Sequence, residues 1–572
     1  MRLRAADPET SGPVRLFFRG AFCRATPLVY PHGSAFEDEP LEIVLDSLRR
    51  FADGSVDSSR IDAEASIGDS VIAGLREIGL FGITIPEEHG GSGFGNVRLC
   101  RAMEEASAID ASISFLLGGH LSIGAKGLLL HGTEEQKERF LPELASGERI
   151  ASFALSEPGA GSDVRGMTTL AGRSSDGRAW TIDGRKSWIA NGGFARLFTV
   201  LARTPMARGR EDDLTAFLVP REAPGLSIGR EEEKLGLRGS STAEVLLEGV
   251  EVGDDLVLGE PGRGFAIAME VLNYGRLGLS AGCLGQAKAI RERAAAHARE
   301  RKQFGRPIAG FEMVKEKLAE MSIDVFSMES LVYATAALVD GGFKDFSIEA
   351  AICKVFASEA LWRVVNHALE IAGGSGLTRE YPYERFLRDA RMTQFFEGTN
   401  EVLRRHIAMA GLKGPRREVD AVRGKLSNPI AALPELITFL SRQTARAFVR
   451  DTAPAPEAEL RREASALEQA VKWLGQSSVR TLVRHGDEFV ERQLAQSRLA
   501  DAAIDCYAMA AVLARSSAIL ARSDAGEAEK SSAAARARLF CARAFARVKR
   551  ALDAIDSGDD GLVVRVADDR EP

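Results

Sequence analysis

The chain has 572 residues, 45% of them hydrophobic and 7% aromatic, with a formal net charge of −7. Such a length holds about three to five domains with sizeable cores. The mildly acidic balance argues against an electrostatic nucleic-acid binder, and the low aromatic content against RNA modules built on base stacking.

In chain order, the first 30 residues hold Arg2, Arg4, Arg15, Arg19 and Arg24 beside Asp7 and Glu9. No apolar core precedes a small-residue cleavage site, so no secretory signal is expected. From Leu41 to Leu141 the patterns are mostly helical, with a break at Pro86 to Gly95. The run Gly90–Gly95 (GGSGFG) reads as a surface turn, because its spacing is not GxGxxG and no βαβ unit surrounds it. From Ser152 to Leu258 the texture becomes strand-like. Leu197–Leu201, Leu214–Val219 and Ala243–Leu247 are short apolar runs between turn residues, and Asp183-Gly184 marks a hairpin turn.

After Gly262 the helical period returns. Phe311, Val314, Leu318, Met321, Val325 and Met328 form one stripe of a long helix. Ser427–Pro429 reads as a linker, and Pro454 and Pro456 punctuate a later loop. Leu499, Ala503, Cys506, Ala510 and Leu513 then repeat the helical spacing, so the tail is a further helical unit. No uncharged apolar run of about 18 residues is found, so no membrane span is expected. None of the six cysteines falls in a CxxC pair and the eight histidines are scattered. That pattern fits a reducing compartment and predicts neither a disulfide framework nor a metal site.

Four segments carry the chemistry. They are Phe153–Asp163 (FALSEPGAGSD), Lys186–Gly193 (KSWIANGG), Arg301–Pro307 (RKQFGRP) and Gly373–Glu401. Singly, each has an ordinary reading: Trp188 as core, the arginines as a solvated face, Glu397 as a cap or exposed charge. Glu397, however, follows two phenylalanines and precedes a glycine. A carboxylate in apolar surroundings is pushed toward a neutral pKa, as a base for a carbon-bound proton requires.

Jointly, ALSEPGAGSD, KSWIANGG, RKQFGRP, GGSGLTREYP, RFLRDAR and FFEGTNEVLR resemble the flavin-dependent acyl-CoA dehydrogenases in order and spacing. The resemblance runs from about Phe18 to about Ser516. Ordinary members stop near the position of Gly411. The continuation, with Arg492–Ser516 (RQLAQSRLADAAIDCYAMAAVLARS), resembles the extra domain of the very-long-chain subfamily, as do Leu116–Gly124 (LLGGHLSIG) and Leu272–Arg276 (LNYGR).

The resemblance implies a mainly α fold with a central β-barrel domain and an additional C-terminal helical domain. The expected boundaries are 1–152 (N-terminal helical), 153–260 (barrel), 261–411 (helical bundle with the base) and 412–572 (extra helical domain). It implies FAD bound by Phe153, Leu155, Ser156, Gly161 and Ser162, with Trp188, Ile189 and Ala190 facing the flavin ring. Arg301 and Phe304, with the loop of Glu370, Gly373 and Gly374, would reach the cofactor across a dimer interface, and Thr399 and Glu401 would complete the site. Glu397 matches the catalytic base, which takes the α-proton of an acyl thioester while the β-hydrogen leaves as hydride to flavin N5. The Glu397 amide and a flavin ribityl hydroxyl would stabilise the developing enolate charge. Ser162, Asn273, Arg276 and Gly398 would lie on the substrate side. Some members carry the base just before the matching arginine; here that residue is Gly275, which cannot serve.

Two positions depart from the family pattern. Ala190 stands where a Ser or Thr hydroxyl bonds flavin N5, which predicts a shifted flavin potential or a slower hydride step. Glu370 stands where Gln is usual, and a carboxylate near phosphate needs a cation such as Arg301. Gly118 and Gly119 fall where shorter-chain members close the pocket, which implies a deep acyl tunnel that Phe115 could shorten.

The expected activity is FAD-dependent dehydrogenation of long or very long chain acyl-CoA to trans-2-enoyl-CoA, with electron-transfer flavoprotein as acceptor and a homodimeric state. Alternatives are a non-catalytic or weakly catalytic assembly scaffold retaining the flavin fold, a dehydrogenase of other chain length, and an acyl-CoA oxidase. The basic, partly amphipathic stretch Leu412–Arg450, with Lys413, Arg416, Arg417, Arg423 and Lys425 beside Leu436, Ile437 and Leu440, has two readings: a peripheral membrane contact or a linker with a packing helix. Little sequence precedes Val14–Phe22, where the resemblance to mature long-chain enzymes begins, so a bacterial cytoplasmic location is expected, with the inner-membrane surface as its peripheral variant.

Overall fold

The computed structural model describes residues 12–22, 28–31, 38–174, 177, 179–204, 214–423, 457–555 and 559–569. Residues 424–450 of the basic stretch, the linker at Ser427–Pro429, and Pro454 and Pro456 lie outside the described residues. The chain divides into two compact units, one of Met1–Pro31, Ser322–Phe356 and Asn400–Pro572, the other of His32–Met321 and Ala357–Thr399.

The second unit is built on one mixed sheet. Its strands are β1 (Ala151–Ala154), β2 (Leu170–Arg173), β3 (Ala179–Ala190), β4 (Leu197–Arg203), β5 (Leu214–Pro220), β6 (Leu226–Glu231), β7 (Thr242–Gly253) and β8 (Val257–Leu258). Their order is β6-β7-β3-β2-β4-β5-β8, with β1 pairing β4 in parallel. The sheet is mixed, and its path does not close on itself among the described residues, which leaves the expected central barrel unconfirmed. β4 (LFTVLAR) and β5 (LTAFLVP) are buried on both faces, which is why they read as continuous apolar runs. Phe198, Val200, Phe217 and Val219 pack with Trp180, Ile182, Val245 and Leu247 on one side. Leu197, Leu201, Leu214 and Leu218 pack with Leu141, Leu144, Ile267 and Val271 of helices on the other.

Asp183-Gly184 is not a hairpin turn. β3 runs through it unbroken, with a register shift between Ile182 and Gly184 against β7. A Cβ at Gly184 would lie 2.3 Å from Thr169 Oγ1, and the Asp183 carboxylate accepts the Gly249 N–H at 2.7 Å. The dipeptide serves a bulge and a close approach rather than a chain reversal.

The long helix Gly264–Glu300 lies close to Asn96–Ile109, Ala111–Gly118 and the π-helical turn Gly119–Gly124 through a stripe of bare positions. A Cβ would lie 2.7 Å from Ser122 Oγ at Gly278, 3.1 Å from Ser114 Oγ at Gly282, and 2.0 Å from the Glu104 carbonyl oxygen at Gly285. This glycine spacing was not singled out in the sequence, where it is hidden in an otherwise ordinary helical period.

In the first unit, helices Arg461–His485, Gln493–Ala521 and Glu527–Ala554 pack together. Leu499, Ala503, Cys506 and Leu513 are buried in it. Arg547 holds Asp505 through Nε and Nη2, at 3.0 and 2.6 Å. The Val14 N–H donates to the Glu349 carboxylate at 3.2 Å, and burial pushes that carboxyl up to about 7.

Among the described residues, three helical stretches are long and apolar enough to cross a membrane by length and composition, contrary to the expectation that none would be. They are Ala111–His131, Glu312–Asp340 and Gln493–Ala521, with 78%, 78% and 61% of their apolar windows buried within the protein. Each carries charges within an apolar run, which a search for uncharged stretches passes over. Their burial assigns them to the core.

Candidate active site

Glu397 sits in the short connection between helix Tyr383–Met392 and helix Asn400–Gly411. Its backbone is left-handed, with φ 59°, and Gly398 follows at φ 93°. A non-glycine residue there is strained and must be held by its surroundings. Arg276, buried on helix Gly264–Glu300, donates from Nε to the Glu397 carbonyl at 3.1 Å and from Nη1 to Asn273 Oδ1 at 2.8 Å. Burial pulls the Arg276 guanidinium below its ordinary value and the nearby Glu397 charge opposes that. The carboxylate of Glu397 lies over the bare Cα of Gly275, where a Cβ would be 2.8 Å from its Oε2 and 2.7 Å from Ile123 Cγ2. Phe396 meets Phe115 edge to face, with ring centroids 5.1 Å apart. The base loop thus touches helix Ala111–Gly118, which runs into the π-helical turn, on its apolar side.

That segment also holds the turn after β3. Trp188 has φ 57° and is 55% exposed; Asn191 has φ 61° and is fully buried. Asn191 Nδ2 donates to the Leu116 carbonyl at 2.9 Å. A Cβ at Gly119 would lie 2.7 Å from the same Nδ2. Gly119 therefore makes room for the Asn191 carboxamide, and a Cβ at Gly118 would meet Met103 Cε at 3.2 Å. Both are packing positions as well as tunnel candidates. Ser152 donates its hydroxyl to the Ala190 carbonyl at 2.6 Å.

The loop that leaves β1 at Leu155 and Ser156 is fastened to β3 by a buried ion pair. Lys186 Nζ lies 2.8 Å from Glu157 Oε1 and donates to the Leu155 carbonyl at 3.1 Å. Glu157 also accepts the Thr168 and Thr169 N–H groups, and the Ser187 N–H donates to the Ser156 carbonyl at 2.9 Å. Burial raises the Glu157 carboxyl, but Lys186 and these donors outweigh it and hold it well below the usual range. Neither Glu157, Ser152 nor Asn191 was singled out from sequence, although a lysine inside an otherwise apolar strand end is a signal of a paired charge.

Gly161 and Ser162 are exposed on the same loop, with no atom within 4 Å of where a Cβ at Gly161 would sit. Ile189 is buried. Arg301 heads the exposed hairpin of β9 (Lys302–Gln303) and β10 (Arg306–Pro307), whose tip Phe304 is 94% exposed. Glu370 is exposed near the end of helix Ser347–Ala372, and Gly373 and Gly374 follow it with open space around them. Lys317 pairs with Glu370 and lowers its pKa, so the compensating cation is Lys317, with His367 4.0 Å away. Thr399 is half-buried beside the base loop; Glu401 is exposed in the first turn of Asn400–Gly411. An outward-facing indole near the end of β3 fits a flat ring. Bare glycine backbone at 161, 373 and 374 fits phosphates. These residues fit the FAD expected from sequence.

Family models match in order along the chain. They are the acyl-CoA dehydrogenase N-terminal domain at residues 38–148, its middle domain at 152–250, its C-terminal domain at 262–412, and the ACAD9/ACADV C-terminal domain at 458–563. The chain is 38% identical over 527 residues to the very long-chain specific acyl-CoA dehydrogenase of Rattus norvegicus, covering 90% of this chain and 80% of the relative. An acyl-CoA dehydrogenase complexed with FAD from Bacillus anthracis superposes with a TM-score of 0.80 at 28% identity, covering 100% of this chain and 96% of that one. A chain from a structure described as the electron transferring flavoprotein of Acidaminococcus fermentans gives 0.63 at 35% identity, covering 66% and 99%.

Proposed function

The chain belongs to the acyl-CoA dehydrogenase family, in the very-long-chain-like subfamily with an extra C-terminal helical domain, and from that premise we propose that its substrates are long or very long chain acyl-CoA thioesters. It is an FAD-dependent oxidoreductase of fatty acid β-oxidation. When bound, FAD supplies the acceptor for the β-hydrogen as hydride. Glu397 removes the α-proton, and the carbon–carbon double bond of the enoyl product forms as the two hydrogens leave. Arg276 fixes the base through the Glu397 carbonyl, while Ile123 lies beside the carboxylate over Gly275 and Phe396 packs on Phe115. Trp188 and Ala190 present the turn against the ring. Arg301, Phe304, Glu370, Gly373 and Gly374 serve a cofactor shared across a homodimer, which the 94% exposure of Phe304 supports. The acceptor is electron-transfer flavoprotein, which the description of one structural neighbour supports. The location is the bacterial cytoplasm, at the inner-membrane surface if the basic stretch engages lipid.

The observation that carries this reading is the Glu397 carboxylate lodged over Gly275 with its backbone held by Arg276. The test is anaerobic mixing of the holoprotein with palmitoyl-CoA. The wild-type flavin absorbance bleaches, and Glu397→Gln keeps its FAD but bleaches at least about 100-fold more slowly. A wild-type holoprotein that is not reduced by any acyl-CoA would overturn the assignment.

A further inference from the structure

The segment from Trp188, at a register shift near the end of β3, through the turn that follows is not relaxed. Two of its non-glycine residues, Trp188 and Asn191, hold positive φ. Such a turn keeps its shape only if neighbours fix it. Most of those neighbours act beyond residue 190. Asn191 N–H donates to the Ser241 carbonyl at 3.0 Å and its side chain to the Leu116 carbonyl. Gly193 N–H donates to Ser241 Oγ at 2.8 Å, and the Arg221 guanidinium donates to the carbonyls of Gly193 and Ala195 at 3.0 and 3.2 Å.

Ala190 itself has only a methyl side chain, so it brings no hydroxyl to a ring stacked before the turn. One side-chain contact holds its backbone: the fully buried Ser152 hydroxyl on its carbonyl at 2.6 Å. Ser152 belongs to β1, the strand that carries Phe153 and leads into Leu155. One hydroxyl therefore ties the two chain segments assigned to the flavin.

We propose that Ser152 is a positioning residue for the flavin: its hydroxyl sets the stance of residue 190, so that Ser152 and Ala190 act as a coupled pair in which a hydroxyl behind the turn stands in for one on it. This rests on the reading of the turn as flavin-facing. Its consequence is specific to these two positions. Removing the hydroxyl from Ser152 takes the side-chain donor from the Ala190 carbonyl, and the loss falls on the cofactor rather than on substrate affinity.

The test uses the full chain and four variants: Ser152→Ala, Ser152→Thr, Ala190→Ser and the Ser152→Ala, Ala190→Ser double. FAD affinity is read by titrating apoprotein and following flavin fluorescence, and the visible spectrum of the bound flavin is recorded. Ser152→Ala is expected to weaken FAD about tenfold and to shift the flavin absorption band, with kcat lowered and KM for palmitoyl-CoA nearly unchanged. Ser152→Thr, which keeps the hydroxyl, restores the wild-type spectrum. In the Ala190→Ser background the same Ser152→Ala change costs clearly less, so the two positions are non-additive. Wild-type FAD affinity and spectrum in Ser152→Ala, or strictly additive effects, would overturn the proposal. A wild-type protein that binds FAD but is not reduced by acyl-CoA would defeat the assigned reaction and leave the Ser152–Ala190 coupling still readable in the titration.

Discussion

Gly275 and Glu397 occupy one space: the carboxylate of Glu397 rests where the side chain of residue 275 would begin, so that an added Cβ would lie 2.8 Å from its Cδ and 2.8 Å from its Oε2. Glycine at 275 is thus a condition for the base, not merely a residue unable to replace it. The same Cβ would lie 2.7 Å from Ile123 Cγ2, so both side chains would have to shift.

It follows that Gly275→Ala displaces the base without removing it. Helix propensity favours the alanine, so the helix itself persists. A base moved by about 1 Å from its reacting proton loses up to about 100-fold in rate. The expected result is a 10- to 100-fold fall in kcat with FAD still bound, about what such a displacement implies, read from stopped-flow bleaching of the flavin. Unchanged turnover would show that the carboxylate has room the static geometry does not indicate.

Much of the site was legible in sequence because its motifs are contiguous. Glu397 between Phe396 and Gly398, Trp188 before a glycine turn, and the paired glycines at 373 and 374 each carry their signal locally. The strand runs of β4 and β5 were legible for the same reason, since burial on both faces leaves continuous apolar stretches. What was not legible depends on separation along the chain. Ser152 meets Ala190, Asn191 meets Leu116, and Lys317 meets Glu370 only in the folded structure. Asp183-Gly184 misled because one dipeptide serves both a tight hairpin and a bulge, and only the partner strand distinguishes them.

Gly285 gives a sharper steric prediction than Gly275, because its neighbour is backbone. A Cβ there would sit 2.0 Å from the Glu104 carbonyl oxygen and 3.1 Å from the Ala108 amide nitrogen. Two helices would have to part. Gly285→Ala is expected to lower stability by about 1–3 kcal/mol, the range for overpacking, despite the better propensity of alanine. Chemical denaturation measures it; a variant as stable as wild type would mean that the helix pair shifts freely.

Lys186→Met tests the fastening of the cofactor loop. The ammonium is fully buried and Glu157 is nearly so, so the methionine leaves a carboxylate in the interior without its cation. Breaking a buried pair by removing one partner costs about 3–5 kcal/mol. The variant should unfold earlier in denaturant and lose FAD more readily, since the Leu155–Ser156 loop that follows Phe153 is released. The double change Lys186→Met, Glu157→Met removes the stranded charge and should recover part of the loss. A double variant no better than the single would show that the Thr168 and Thr169 contacts, not the charge, govern the loop.

His120 makes the pH dependence of stability partly separable. Its ring is fully buried on the π-helical turn, with Nδ1 accepting the Ala151 N–H at 2.9 Å and Nε2 facing the carbonyls of Phe81 and Leu144 at 3.1 Å. Accepting at Nδ1 fixes the neutral ring with its proton on Nε2, and burial holds the pKa down to about 4, partly opposed by the two carbonyls. As pH falls through 6.5 the unfolded chain takes up a proton that the folded chain refuses until about pH 4. The folded state therefore keeps this contribution above pH 6.5, loses it progressively toward pH 4, and has none of it below; over the whole window that is about 3 kcal/mol. Glu349 and Asp389 slope the other way, because burial pushes both up to about 7 and the folded state keeps protons that the unfolded chain gives up. Their contribution is common to wild type and a His120→Gln variant, so it cancels in the difference. The stability of wild type minus that of His120→Gln should fall as pH drops from 6.5 to 4 and stay level above 7. A flat difference across that range would mean that the imidazole accepts a second proton inside the fold at no cost.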